Sequence, residues 1–142
     1  MAKPRGGAIP YIIEDGEIKM MFMKPSDPKF GGEAFQVAKG KIDKGEDIRT
    51  GSFREASEEL GLFMGNIDRE HKLGKFLGKI HVYLCRVKDK ELFGDPDYET
   101  GAVTWMTLDE FMADGRDIHR PIVQAAHRWI TRNENESERE VE

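Results

Sequence analysis

The sequence predicts one domain that is either α+β or a mixed α/β sandwich. Runs of alternating apolar residues typical of strands occupy much of the chain before residue 106. Two longer stretches have the spacing of amphipathic helices, one in the middle of the chain and one near its end. Several strands are separated by short turn-rich links of the hairpin type. Such links favour an α+β arrangement over an all-parallel sheet.

The first strands are predicted to form a hairpin. The stretches AIPYII (8–13) and IKMMFMK (18–24) are joined by EDGE, where Gly16 suits a tight turn. A loop rich in Pro, Gly and Asp follows at residues 25–33. The next stretch, AFQVAKG, starts as a short strand and breaks at Gly40.

The middle of the chain predicts a helix and then one long strand. The helix runs from Ile48 to Leu60, because Gly61 stands where a C-terminal glycine cap belongs. Residues 72–88 alternate as a single strand. One face of that strand carries Phe76, Ile80, Val82 and Leu84, and the other carries Leu77, Lys79, His81, Tyr83 and Cys85.

The last third predicts one more strand and two helices. The strand is AVTWM (102–106), and a short helix covers 108–112. The final helix covers 120–131, with Pro121 in its first turn. The domain is therefore expected to span residues 1–131, and residues 132–142 are expected to be an acidic, disordered tail.

The composition excludes several classes of function. The net charge of −5 does not favour a nucleic acid polymer as the partner. Cys85 is the single cysteine, which excludes an intrachain disulfide and predicts a reducing, cytoplasmic location. No apolar run approaches the roughly 20 residues of a membrane span. The N-terminus lacks the long apolar region and cleavage site of a signal peptide.

The predicted middle helix carries an unusual concentration of negative charge. In FREASEELGL, the side chains of Glu55, Glu58 and Glu59 fall within an arc of about 100° on one helix face. Like charges at this spacing repel one another. Oxygen ligands on a rigid helix suit Mg²⁺ or Mn²⁺, and the absence of His and Cys among them argues against zinc.

The segment GKIDKGEDIRTGSFREASEELGL (40–62) resembles the Nudix box, the signature of the Nudix hydrolases. The matching fixed positions are Gly40, Glu46, Arg54, Glu55, Glu58, Glu59 and Gly61. The resemblance implies an α+β fold of the Nudix type, an α/β/α sandwich in which a mixed β-sheet lies between helices. It also implies hydrolysis of the pyrophosphate bond in a nucleoside diphosphate linked to another group.

The resemblance further implies roles for the matching residues. Glu55, Glu58 and Glu59 would be catalytic metal ligands for Mg²⁺ or Mn²⁺, with Gly40 at the same metal site. Either Glu55 or Glu59 could accept the proton of the attacking water. The pair of Glu46 and Arg54 would be structural and would fasten the loop to the helix.

Family members often recruit one more acid from a loop before a late strand. Here Glu99 is the candidate for a further metal ligand, because it lies shortly before the strand at AVTWM. The same loop offers three rivals, which are Glu91, Asp95 and Asp97.

Substrate contacts are assigned to Lys39, Lys79 and Tyr83. Lys39 precedes Gly40 and is placed to reach a phosphate, although a solvent-facing lysine is equally compatible with the sequence. Tyr83 shares a predicted strand face with Lys79, so its ring is a candidate for stacking on adenine. Phe30 in the glycine loop either covers a base or anchors the loop. His119 and His127 are expected at the surface.

The segment MKPSDPKFGGEAFQVAKGKIDKGE also resembles phage-encoded Nudix enzymes that act on adenosine-containing diphosphates. The expected partner is a small nucleotide such as ADP-ribose, a diadenosine polyphosphate or FAD. Two alternatives are a house-cleaning nucleoside triphosphate pyrophosphatase and a nucleotide sensor that does not cleave its ligand. A homodimer is plausible, because many relatives are homodimers.

Overall fold

The computed structural model describes the backbone of residues 3–141 and the side chains of residues 3–134. The strands are β1 (Arg5–Glu14), β2 (Glu17–Pro25), β3 (Ala38–Lys41), β4 (Ile67–Phe76), β5 (Ile80–Val87) and β6 (Thr100–Met106). The helices are α1 (Ile48–Leu60), α2 (Leu108–Asp114) and α3 (Arg120–Val141). Short 3₁₀ turns cover Pro28–Phe30, Met64–Asn66 and Asp117–His119.

The strands form one mixed sheet in the order β4-β5-β1-β2-β6, and β3 pairs with β1. The pairing of β1 with β5 is parallel, and the other strand pairings are antiparallel. Because β3 is short and pairs beside the start of β1, the first residues of β1 lie next to the glycine that precedes the α1 loop.

Apolar side chains cover both faces of the sheet, as the fold prediction requires. On one face the core includes Phe111 of α2 and Ile122 and Ile130 of α3. On the other face Phe53 and Ala56 of α1 pack against strand residues. The α+β prediction of a sandwich with helices on both sides of a mixed sheet is confirmed.

Helix α1 begins and ends where the sequence predicts. The Asp47 side chain accepts a hydrogen bond from the Thr50 backbone N–H at 2.7 Å, which caps the first turn. Gly61 ends the helix with φ of 78°, in the left-handed region that glycine favours. A Cβ at this position would lie 2.0 Å from the carbonyl oxygen of Gly94.

The prediction of a single strand at residues 72–88 is wrong. Strands β4 and β5 form an antiparallel hairpin in which Phe76 pairs with Ile80. The turn between them places Leu77 at φ of 53° and Gly78 at φ of 75°. Positive φ is uncommon for leucine, so the residue type at position 77 gave no turn signal. Lys79 consequently lies at a hairpin tip instead of inside a strand.

The predicted domain boundary at residue 131 lies inside helix α3. Glu134 belongs to the folded domain, because its side chain is only 1% exposed and accepts a hydrogen bond from the Tyr11 hydroxyl at 2.8 Å. The expected tail at 132–142 is therefore wrong for residues 132–134. The side chains of residues 135–142 lie outside the described residues.

Among the described residues, no helix combines the length and apolar character that crossing a membrane requires.

Candidate active site

A cavity of about 1060 Å³ opens beside β3, where α1, the hairpin tip and the loops before β3 and β6 meet. Its acidic lining residues are Glu55, Glu59, Glu99 and Asp27, and its basic ones are Arg5, Lys39, Lys41, Lys79 and Arg116. His119 also lines it. The size suits a nucleotide-scale ligand, since ligand pockets typically span roughly 300–1,000 Å³.

Gly40 makes room for the carboxylate of Glu55. A Cβ at position 40 would lie 2.1 Å from Glu55 Oε2 and 2.6 Å from Glu55 Oε1. Both distances are far shorter than any tolerated contact, so an alanine would have to displace the carboxylate. The glycine that the sequence motif requires is thus explained by the close approach of Glu55, and this approach brings the carboxylate to the cavity.

Glu59 lies one helical turn after Glu55 and lines the same cavity. Its Oε1 accepts a hydrogen bond from the backbone N–H of Lys39 at 3.2 Å. The pKa of Glu59 is raised to about 8, chiefly by burial and also by the negative charge of Glu55, although the hydrogen bond from Lys39 opposes the shift. Burial also raises the pKa of Glu55, although the Arg54 guanidinium opposes that shift.

Arg54 fastens the loop before α1 to the helix. Its guanidinium contacts Glu46 through Nε at 2.8 Å and Nη2 at 3.0 Å, and it donates to the Lys41 carbonyl at 3.0 Å. The pairing of Glu46 with Arg54 that the sequence predicts is present. Arg54 Nη1 also lies 3.1 Å from both Glu55 Oε1 and Glu58 Oε1.

The three predicted metal-binding glutamates differ in position, because Glu55 and Glu59 line the cavity and Glu58 does not. Glu58 is 45% exposed in its side chain, pairs with Arg54 and does not line the cavity. No group of three or more His, Cys, Asp or Glu residues within the described part of the chain is arranged to hold a metal ion. The helix supplies two carboxylates to the cavity, and the third turns toward Arg54.

Glu55 and Glu59 nevertheless fit a hard divalent cation. In the part of the chain that the structure describes, Oε2 of each residue accepts no hydrogen bond. Each of the two groups is partly removed from water beside another negative charge, which a bound cation would offset. Carboxylate oxygens are the ligands that suit Mg²⁺ or Mn²⁺.

Among the loop acids, Glu99 lines the cavity, whereas its rivals Glu91, Asp95 and Asp97 do not. The loop is fixed to the end of α1, because the Asp97 N–H donates to the Glu58 carbonyl at 2.8 Å. The Thr100 hydroxyl also donates to the Glu59 carbonyl at 2.9 Å. Glu99 itself is exposed, and no described ion pair holds it.

The basic side of the cavity is larger than the sequence indicates. Lys39 and Lys79 line the cavity as candidate phosphate contacts, and Arg5, Lys41 and Arg116 join them. The pKa of Lys39 is lowered to about 8, chiefly by burial and also by the nearby charges of Arg5 and Arg116. Sequence reasoning missed Arg5 and Arg116 because they lie far from the motif along the chain and reach it only through the tertiary fold.

The assignment of Tyr83 as a substrate contact is wrong. Tyr83 is 8% exposed and packs with Phe53 of α1, with ring centroids 5.4 Å apart. The predicted alternation of β5 is correct, but the face that carries Tyr83 and Cys85 is covered by α1. Tyr83 therefore anchors the helix and does not line the cavity.

Two other aromatic side chains stand at the cavity. Phe30 is 80% exposed and Tyr98 is 86% exposed, and both line it. Their loops are joined by a hydrogen bond from the Ser26 N–H to the Glu99 carbonyl at 2.8 Å. Exposed aromatic rings at a nucleotide-sized cavity are suited to stacking on a base. The sequence analysis named Phe30 as a candidate and missed Tyr98.

His119 is buried, contrary to the expectation of a surface position. Its Nδ1 accepts a hydrogen bond from the Val37 N–H at 3.1 Å, so the neutral ring carries its proton on Nε2. Burial lowers the pKa of His119 to about 3, and the charges of Lys39 and Arg116 add to this shift. His119 thus holds the chain just before β3, and nothing in the sequence around it signalled that contact.

Comparison with known proteins places these features in a family. The family model described as NUDIX domain matches residues 4–126. No curated protein matches the chain significantly. The match to the family model covers most of the chain, from β1 through α1 to the first residues of α3.

Solved structures show the same fold at low sequence identity. A C. elegans Ap4A hydrolase, in a binary complex, is 17% identical with a TM-score of 0.72, covering 89% of this chain and 98% of that chain. The NUDIX domain of Shewanella oneidensis NrtR, complexed with ADP ribose, is 13% identical with a TM-score of 0.69 over 92% and 90% of the two chains. A Nudix hydrolase from M. smegmatis, RenU, is 12% identical with a TM-score of 0.71 over 90% and 87%.

Proposed function

The chain belongs to the NUDIX domain family and is a Nudix hydrolase, a pyrophosphatase, and from this premise we propose that it cleaves adenosine-containing nucleotides with Mg²⁺ or Mn²⁺ held by Glu55 and Glu59. The observation that supports the metal site is that two partly buried carboxylates, Glu55 and Glu59, line one cavity, where Gly40 leaves room for Glu55.

Glu55 and Glu59 would hold the metal, and Glu99 would be the further ligand from the loop before β6. When bound, such a cation neutralises phosphate charge and lowers the pKa of water. Glu58 lies outside the cavity beside Arg54, so its part in metal binding requires its side chain to leave Arg54.

The chain's own residues position the substrate and move the proton. One carboxylate, Glu55 or Glu59, accepts the proton of the water that attacks phosphorus, since both face the cavity. Lys39 offers an ammonium group beside Glu59, which places a positive charge next to the negative pair. The Arg54 contact with Glu46 keeps the loop and its Gly40 against α1.

The adenosine moiety is assigned to the exposed aromatic rings of Phe30 and Tyr98. Both rings are available for stacking and lie on loops joined to each other. The structural neighbours include an Ap4A hydrolase and a domain complexed with ADP ribose, and both ligands contain adenosine. The resemblance of residues 23–46 to phage enzymes that act on adenosine-containing diphosphates supports the same choice.

A substrate panel tests the proposal. The protein is incubated with ADP-ribose, diadenosine polyphosphates, FAD and nucleoside triphosphates, with Mg²⁺ or Mn²⁺ or with EDTA, and the products are identified. We expect AMP from an adenosine-containing diphosphate or polyphosphate, and no turnover in EDTA. Turnover of triphosphates alone, with release of pyrophosphate, would favour the house-cleaning activity instead. Tight binding without turnover of any compound would contradict the proposal.

A further inference from the structure

The start of β1 and the strand β3 place their cations on one face of the sheet. Arg5 pairs with Lys41 and Gly7 pairs with Lys39 in the antiparallel register. Cross-strand partners share a face, and so do residues two apart in a strand. Arg5, Lys39 and Lys41 therefore share one face. Gly40 falls on the opposite face, where Glu55 approaches it.

The hairpin tip adds a further cation to this group. The Arg5 backbone N–H donates to the Lys79 carbonyl at 2.9 Å, which fixes the tip against the start of β1. Arg5 and Lys79 both line the cavity. The group defined by Arg5, Lys41 and Lys79 is called the cation cluster below.

The cation cluster is not neutralised within the protein. None of its members forms an ion pair with a described carboxylate, whereas other arginines and lysines of the described chain do. The chain as a whole carries a net charge of −5, so a concentration of unpaired positive charge at the cavity is not a consequence of composition. Like charges gathered in this way favour an anionic ligand.

The metal-binding carboxylates and the cation cluster are separate features of one cavity. A pyrophosphate bound through cations at Glu55 and Glu59 already has its charge offset. The cation cluster would then bind a further phosphate of the substrate. The cavity of about 1060 Å³ has room for a longer chain of phosphates.

We propose that the cation cluster is a subsite for a phosphate beyond the two that flank the scissile bond, so that the preferred substrate carries a chain of three or more phosphates. The inference rests on the proposed function for the position of the cleaved bond. It favours dinucleoside polyphosphates or nucleoside triphosphates over ADP-ribose and FAD, whose bridges contain only two phosphates.

Binding of inorganic tripolyphosphate and pyrophosphate, measured by calorimetry with Mg²⁺ present to load the Glu55 and Glu59 site, tests the subsite without a nucleotide substrate. The variants are Arg5→Gln and Lys79→Gln. The matched control is Lys75→Gln, which removes an exposed lysine from the same hairpin outside the cavity.

We expect the unmodified protein to bind tripolyphosphate about tenfold more tightly than pyrophosphate, since a charge-assisted hydrogen bond contributes roughly that factor. Arg5→Gln and Lys79→Gln should each weaken tripolyphosphate binding about five- to tenfold, and Lys75→Gln should change it less than about twofold. Equal affinity for the two anions, or an equal loss in the Lys75→Gln control, would overturn the subsite.

Turnover of diadenosine compounds with two, three and four bridging phosphates, together with ATP, completes the test. We expect kcat/KM to rise with the third phosphate and the two cluster variants to lose mainly that gain. The ATP arm distinguishes a triphosphate from a dinucleoside source. Turnover without preference for three phosphates would overturn the subsite alone. Absence of turnover with the binding preference intact would instead refute the proposed function and support the subsite.

Discussion

Glu134 and Glu59 are two carboxylates withdrawn from water, and their surroundings are opposite. Glu134 Oε1 accepts hydrogen bonds from the Tyr11 hydroxyl at 2.8 Å and from Arg69 at 3.1 Å. Its Oε2 accepts one from Arg86 at 2.6 Å. Glu59 accepts one backbone hydrogen bond at 3.2 Å and has the negative charge of Glu55 nearby.

The comparison distinguishes a carboxylate that stabilises the fold, Glu134, from one that is available to bind a ligand, Glu59. Glu134 is neutralised by two guanidinium groups and joins α3 to the sheet strands β1, β4 and β5. Both of its oxygens are used within the protein, so a ligand has nothing to bind there. Glu59 has an oxygen without a described partner and faces a cavity, and burial raises its pKa. A carboxyl with a raised pKa in a cleft is the pattern expected of a functional site.

The substitution Glu59→Gln should have the largest effect on function. We expect turnover to fall about 10²- to 10⁴-fold, because a metal ligand or a proton acceptor is lost. Folding stability should be unchanged or slightly higher, since the amide removes a charge that burial disfavours. Steady-state kinetics with Mg²⁺ and thermal unfolding of the same preparation provide the two measurements. Near-normal turnover would refute the assigned role.

The substitution Glu134→Gln should give the reverse pattern. Two arginines lose a charged partner, and both are partly exposed, so we expect a loss of about 2 kcal/mol in the free energy of unfolding. Turnover per folded molecule should remain within about twofold of the unmodified protein, because Glu134 does not line the cavity. Denaturant unfolding and kinetics measure the two effects. A loss of turnover per folded molecule well beyond about twofold would contradict the purely structural role of Glu134.

The substitution Gly40→Ala tests whether the space above Glu55 matters. The added methyl group would overlap the Glu55 carboxylate, so the carboxylate must move and turnover should fall about tenfold or more. The control is Gly65→Ala, where a Cβ meets nothing within 4 Å. Equal kinetics for the two variants would show that the position of Glu55 beneath the glycine is not required.

The smallest expected effect on turnover belongs to His119, which instead governs the pH dependence of stability. Its pKa is lowered from 6.5 to about 3 in the folded chain, so the unfolded chain binds this proton first as the pH falls. The free energy of unfolding should therefore fall with pH below about 6.5, with up to one proton, or about 1.4 kcal/mol, per pH unit from this group.

The matched variant is His119→Asn, whose amide oxygen can replace Nδ1 as the acceptor for Val37 but does not titrate. Denaturant unfolding between pH 7 and pH 5 should show a shallower loss for the variant. Identical slopes would mean that His119 does not titrate differently in the folded and unfolded chains.

The sequence predicts the features that depend on residues close together in the chain. The helix α1, its cap at Gly61 and the pairing of Glu46 with Arg54 all arise within one segment of residues 40–62. Features that require distant elements could not be predicted. The side of β5 that α1 covers decides that Tyr83 is buried, and alternation along the strand does not specify which side that is.

Two further differences have similar causes. Leu77 adopts a positive φ in the hairpin turn, a conformation that is uncommon for leucine. The residue type therefore does not indicate a turn, and the sequence predicts β4 and β5 as one strand. Glu134 follows the apolar stripe of α3 in an acidic segment, and only the arginines and the tyrosine of distant strands make its burial favourable. Glu58 shares its Arg54 contact with Glu55 but lies outside the cavity, a difference that the helical arc alone does not specify.

Titration of Mn²⁺ into the protein without substrate, followed by calorimetry or electron paramagnetic resonance, tests the central claim most directly. The account predicts saturable binding in the unmodified protein, binding at least about tenfold weaker in Glu55→Gln and in Glu59→Gln, and little change in Glu91→Gln, an exposed loop acid outside the cavity. Unchanged Mn²⁺ affinity in both Glu55→Gln and Glu59→Gln would contradict it.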